Sequence, residues 1–145
     1  MIHLLKAISE ANNHLLKENN INDSLQECIS ALGSNILVDR CYIFKNEVKG
    51  GVLILNYEFE WCKEGVLPFI GTPELSGLPY DVFPGLFETL NQNRPLYGLV
   101  SKSDNVLFRE TMEMQGILSY LFIPIFSEDQ FWGWIGFDDC ESERI

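Results

Sequence analysis

Over positions 1–18, apolar residues recur in alternating steps of three and four: Met1, Leu4, Ile8, Ala11 and Leu15. This spacing is the a/d seam of a coiled coil and predicts a helix over 1–18. Two heptads leave two readings open. Leu4, Ile8, Ala11 and Leu15 form a contact between copies, or the helix lies on its own domain and buries Leu5 and Leu16 as well. After Asn19-Asn20 a second stripe runs through Leu25, Cys28, Ile29, Leu32 and Ile36. It predicts a helix from Asn22 or Asp23 with one face on a core, and Asp23-x-x-Gln26 has the chemistry of a capping box.

At Arg40 the period drops to two. Cys41 to Phe44 reads as a strand, and Asn46 to Gly51 as its turn. A second, longer strand follows, with Leu53, Leu55, Tyr57, Phe59 and Trp61 on one face and Asn56, Glu58 and Glu60 on the other. Residues 62–80 are irregular and rich in Gly and Pro, as a loop that folds over something would be. A short helix is expected from about Asp81, with Pro84 in its first turn and Val82, Phe83, Leu86, Phe87 and Leu90 apolar. A short strand over Leu96 to Val100 comes next. Ser103 or Asp104 then caps a helix that Gly116 closes. The stretches 117–126 and 131–137 read as the two strongest strands, with Pro124 expected at a bulge or an unpaired point. The order ααββ-loop-α-β-α-ββ predicts an α+β fold. Its centre is an antiparallel sheet of five to six strands, with terminal helices on one face and the middle helices and loop on the other.

At 145 residues the chain is expected to form a single domain, 1–145, large enough for one core. A net charge of −11 repels phosphate, so neither nucleic acid nor an anionic membrane is an expected partner. The longest apolar stretch, Gly116 to Phe126, is about half a membrane span, and no signal-peptide pattern opens the chain. The expected setting is soluble and cytoplasmic. Cys28, Cys41, Cys62 and Cys140 lie 13, 21 and 78 apart without a C-x-x-C, which reads as reduced thiols and not as a metal site. His3 and His14 sit on one helix, and no hydrolase, phosphate-loop or dinucleotide motif is present, so no catalytic set emerges. Asp138, closing an apolar strand, needs a buried partner, and Arg40 is the candidate.

Three stretches, in this order, resemble a GAF domain, the small-molecule sensor module of signalling proteins. Val38-Asp39-Arg40-Cys41-Tyr42-Ile43-Phe44 is similar to that family's first strand. Gln115-Gly116-Ile117-Leu118-Ser119 through Pro124-Ile125 is similar to its G-I-x-S-x-x-x-x-P-I/L signature. Phe131-Trp132-Gly133-Trp134-Ile135-Gly136-Phe137-Asp138 is similar to its closing strand. Tyr57, Glu60-Trp61-Cys62 and Leu78-Pro79-Tyr80-Asp81 resemble GAF units found beside PAS domains in bacterial histidine kinases and diguanylate cyclases. The resemblance implies a sensory or regulatory module, not an enzyme, cut from a longer bacterial signalling protein. Adjacent domains and a second copy of the chain are the implied partners. It names no cofactor, because the family's motifs for cyclic nucleotides, bilins and haem do not carry over. The aromatic residues exceed what a plain core needs. Tyr42, Trp61, Phe69, Phe83, Phe87, Tyr97 and Tyr120 are the candidates to line a pocket for a small, largely apolar ligand. Two rivals stay open: a thiol-dependent reductase using Cys62, and a ligand-free dimerisation module.

Overall fold

The computed structural model describes residues 21–143. The helix expected over 1–18, with Leu4, Ile8, Ala11, Leu15 and both histidines, lies outside the described residues. Helix α1 (Ile21–Asn35) leads into the long hairpin β1 (Arg40–Lys49) and β2 (Val52–Cys62), whose turn is Gly50-Gly51, both with positive φ. A two-residue strand β3 (Leu78–Pro79), helix α2 (Leu86–Asn91), strand β4 (Leu96–Leu99) and helix α3 (Val106–Met114) follow. Strands β5 (Ser119–Ser127) and β6 (Gln130–Asp139) close the fold. The six strands form one antiparallel sheet in the order β3-β2-β1-β6-β5-β4.

The sheet separates two cores. Leu25, Cys28, Ile29 and Leu32 of α1 press on Cys41, Ile43 and Phe137 on one face, using the stripe predicted from their spacing. On the other face Tyr42, Phe44, Leu55, Tyr57, Phe122 and Trp134 meet residues from α2, α3 and the long connection. Alternation along β1 sends Cys41 and Ile43 to the first core and Tyr42 and Phe44 to the second.

Strand β2 departs from its predicted pattern. Ile43 pairs with Phe59 but Phe44 pairs with Tyr57, so Glu58 is the extra residue of a β-bulge. A one-residue slip exchanges faces for everything beyond it. Leu53, Leu55 and Tyr57 stay in the second core, Phe59 and Trp61 turn to the α1 side, and Glu60 swings inward. The helix expected from Asp81 is interrupted: Tyr80–Val82 is a single 3₁₀ turn, and Gly85, at φ 90, delays α2 to Leu86. Asn105 caps α3, its side-chain oxygen accepting from the Phe108 N–H at 2.9 Å, where Ser103 or Asp104 was expected. Helix α1 already runs at Ile21, ahead of the expected start at Asn22 or Asp23, and the Gln26 amide donates to the Glu60 carbonyl. Gly116, at φ 73, does close α3, with its N–H on Glu113 O and that of Ile117 on Met112 O. Pro124 lies past Phe122, the last residue of β5 that pairs with β4, and just before the register shift at Ile125, as its missing donor requires.

Two glycines set how closely β6 approaches β1. A Cβ at Gly136 would fall 2.3 Å from the Tyr42 ring, and one at Gly133 would fall 2.3 Å from the Phe44 carbonyl oxygen. The second contact is backbone and cannot swing aside, so Gly133→Ala must part the two strands. Its expected cost is about 1–3 kcal/mol, read as a lower urea midpoint at unchanged m-value. An unchanged midpoint would show that the strands yield freely there.

Candidate functional site

The second core encloses a chamber. Its floor is Tyr42 and Phe44 of β1, Leu55 of β2, Phe122 of β5 and Trp134 of β6. Its roof is Leu86 of α2, Phe108, Thr111 and Met112 of α3, with Gln115, and the connecting residues Leu75, Leu78 and Phe83. The rings fill most of it. Phe44 stacks on Trp134 at 4.6 Å, Phe122 leans on Trp134 at 4.4 Å, and Tyr42 stacks on Tyr57 at 5.4 Å. A cavity of about 40 Å³ remains, room for a few water molecules.

Of the seven aromatic residues singled out from the sequence, Tyr42 and Phe83 line this cavity. Tyr120 packs behind it on Phe108 and Phe122, and Phe87 packs on Tyr80 and Phe131. Phe69 covers the Arg40 guanidinium, 4.9 Å from its ring centre. Trp61 is on the opposite face, against Gly33, because the Glu58 bulge turned it there. Tyr97 points outward from the edge strand β4 and is 66% exposed. Phe44, Trp134, Thr111, Met112 and Gln115 belong to the chamber without having been picked out. Phe44 and Trp134 sit on alternating strands and carry that signal; the α3 residues carry none stronger than any helix stripe.

Beside the chamber lies a buried ion cluster. Arg40 and Asp138 are cross-strand partners, and Arg40 Nη1 donates to Asp138 Oδ2 at 3.1 Å, as the sequence reading anticipated. Both side chains are almost wholly buried. The Tyr42 hydroxyl donates to the other carboxylate oxygen at 2.8 Å. Arg40 Nη2 donates to the Leu67 carbonyl at 2.8 Å, and Nε faces Glu60 at 3.9 Å. Glu60 accepts from the Tyr57 hydroxyl and from the N–H groups of Phe69 and Ile70, at 2.9 and 3.3 Å. The cluster therefore straps the connection after β2 across the end of the sheet. Burial pushes the Asp138 carboxyl up to about 7, with Arg40 and then Tyr42 opposing the rise.

A cyanobacterial phytochrome domain with bound phycocyanobilin superposes on 98% of this chain and 82% of its own, with a TM-score of 0.75 at 18% identity. The chromophore-binding domain of a Stigmatella aurantiaca phytochrome superposes on 97% of this chain and 52% of its own, with a TM-score of 0.70 at 14% identity. The chain has the GAF fold. No protein-family model matches it. In sequence it is 39% identical, over 143 residues, to a segment of a methanogenesis regulatory histidine kinase from Methanothrix harundinacea. That match covers 98% of this chain and 16% of the kinase.

The thiols of this chain fall into two pairs. Cys28 of α1 and Cys41 of β1 are buried between that helix and the sheet, and burial pushes the Cys28 thiol up to about 11. Cys62 and Cys140 are half-buried near Arg40. Burial and then Glu60 raise the Cys62 thiol against the pull of Arg40, and burial pushes Cys140 up to about 11. Protonated thiols of this kind are poor nucleophiles. No cysteine lines the chamber. Among the described residues no three His, Cys, Asp or Glu side chains are grouped to hold a metal ion, and no helix is long and apolar enough to cross a membrane.

Proposed function

We propose that this GAF domain is a sensory and regulatory module of a cytoplasmic signalling protein of the histidine-kinase type, acting by binding and not by turnover. The observation that carries the reading is the match of nearly the whole chain to one segment of a regulatory kinase. The chamber supplies a means. Its floor residues Tyr42 and Phe44 alternate along β1 with Cys41 and Ile43, which bear α1 on the other face. Repacking around an occupant is felt one residue away, under the helix. In a multidomain parent, terminal helices are the connection to adjacent domains, and occupancy shifts them.

The occupant this chamber suits is a small, largely apolar or aromatic molecule, with Thr111 and Gln115 for its polar atoms. The bilins named for the structural relatives do not fit these residues. The cavity of about 40 Å³ is far too small for a tetrapyrrole, and no thiol borders it for a thioether. The small cavity favours a second reading, in which the chamber stays filled by its own side chains and the domain works as a homodimer alone. Native mass spectrometry of the freshly purified chain, set against its denatured mass, separates the two. A reproducible excess mass that vanishes on denaturation is the expected result. A bare dimer supports the second reading, and a bare monomer overturns both.

A further inference from the structure

The ion cluster and the chamber do not account for a second opening on the same side of the sheet. Between the β1–β2 turn and the start of α2 lies a cleft of about 500 Å³, open to solvent and more than ten times the volume of the chamber. Its size is that of a small-molecule site. Leu53, Tyr80, Pro84 and Phe87 form an apolar, aromatic wall, and Asp81 and Glu88 stand at the same cleft. Among the described residues no Lys or Arg lines it, and neither carboxylate makes a hydrogen bond or an ion pair. The wall is held from behind. The Tyr80 hydroxyl donates to the Asn46 side-chain oxygen, and the Asn46 amide donates to Phe131 O at 3.0 Å. Tyr80, Phe87 and Phe131 brace one another at 5.5–6.0 Å.

Rigid aromatic surface beside two uncompensated carboxylates is what recognises an organic cation: the rings attract the charged head electrostatically while the carboxylates neutralise it. An anion is repelled by both groups, and a neutral molecule gains only the apolar wall. We propose that this cleft binds a small organic cation, a protonated or quaternary amine carried on an apolar scaffold. The cleft and the chamber share walls, since neighbouring residues face opposite ways: Leu78 and Leu86 line the chamber, Pro79 and Phe87 the cleft. The proposal does not depend on the chamber being occupied.

The test is a titration of the whole chain, labelled with ¹⁵N, by benzyltrimethylammonium, with benzyl alcohol and benzoate as neutral and anionic counterparts. Expected are saturable amide shifts confined to residues 51–53 and 79–88, no saturation by either counterpart, and binding about tenfold weaker in Asp81→Asn/Glu88→Gln. Both substituted residues are exposed, so the variant keeps the fold, and its unchanged remaining spectrum shows this. Three results would overturn the proposal: no saturation, equal binding of benzyl alcohol, or shifts centred on Met112 and Gln115 of the chamber.

Discussion

Arg40→Met is expected to lower the stability of the domain by about 3–5 kcal/mol, because it leaves the Asp138 carboxylate buried without its counter-charge. Methionine fills much of the same space, so the loss reports charge more than volume. Among the described residues only the Tyr42 hydroxyl then remains on that carboxylate, and the Leu67 carbonyl loses its donor. Burial already raises the Asp138 carboxyl from 3.8 to about 7, and without the opposing guanidinium it rises further. A carboxyl raised in the folded state favours folding where it is protonated and costs stability as pH climbs past its unfolded value. The deficit of the variant should therefore be larger near about pH 8 than near about pH 5. Adding Asp138→Leu should recover much of it, since an apolar pair needs no compensation. Urea midpoints at the two pH values decide the matter. A loss below about 1 kcal/mol, or one that is larger in acid, would show that the pair is not isolated from water.

Trp134→Ala is expected to cost about 3–5 kcal/mol, the range for emptying a buried large aromatic site. The indole is the hub of the chamber, in contact with Phe44, Phe122 and Tyr42. Its strand neighbours Gly133 and Gly136 hold β6 tightly against β1, so little collapse can fill the gap. Free indole at millimolar concentration should raise the melting temperature of the variant and leave the wild type unmoved, because only the variant has the room. If indole stabilises both equally, the chamber opens without the substitution and its present tightness is not a barrier.

Much of this architecture is legible in the chain, for reasons that differ from element to element. The Cys28, Ile29 and Leu32 stripe and the alternation in β1 come through because one face of each is buried. Arg40 and Asp138 could be paired in advance because a charge closing an apolar strand leaves few candidates. The bulge at Glu58 left no trace, since Glu58-Phe59-Glu60-Trp61 carries on the alternation that the slip reverses. That single residue took Trp61 out of the candidate site and brought Glu60 into the ion cluster. Tyr97 was misplaced for a related reason: an apolar strand does not say whether it is central, and β4 lies at the edge. The chamber itself was only half legible. The excess of rings was plain, but whether rings enclose a void or fill one another depends on their angles.

The way β2 is finished along its outer side bears on how this chain behaves in a crowd. β3 covers only Ile54 and Leu55 of that strand's eleven residues. Beyond them the Tyr57 N–H is taken by the Ser76 hydroxyl at 3.1 Å and the Glu60 carbonyl by the Gln26 amide at 3.3 Å. Side chains thus occupy backbone positions that another strand would use. At the opposite edge β4 runs for only four residues after Pro95. Neither border is a good template for adding a strand, so a chain this rich in apolar strands is protected from joining others edge to edge. The protection on the β2 side lasts as long as Ser76 and Gln26 hold those two groups. Once both let go, the border of β2 lies open to another chain.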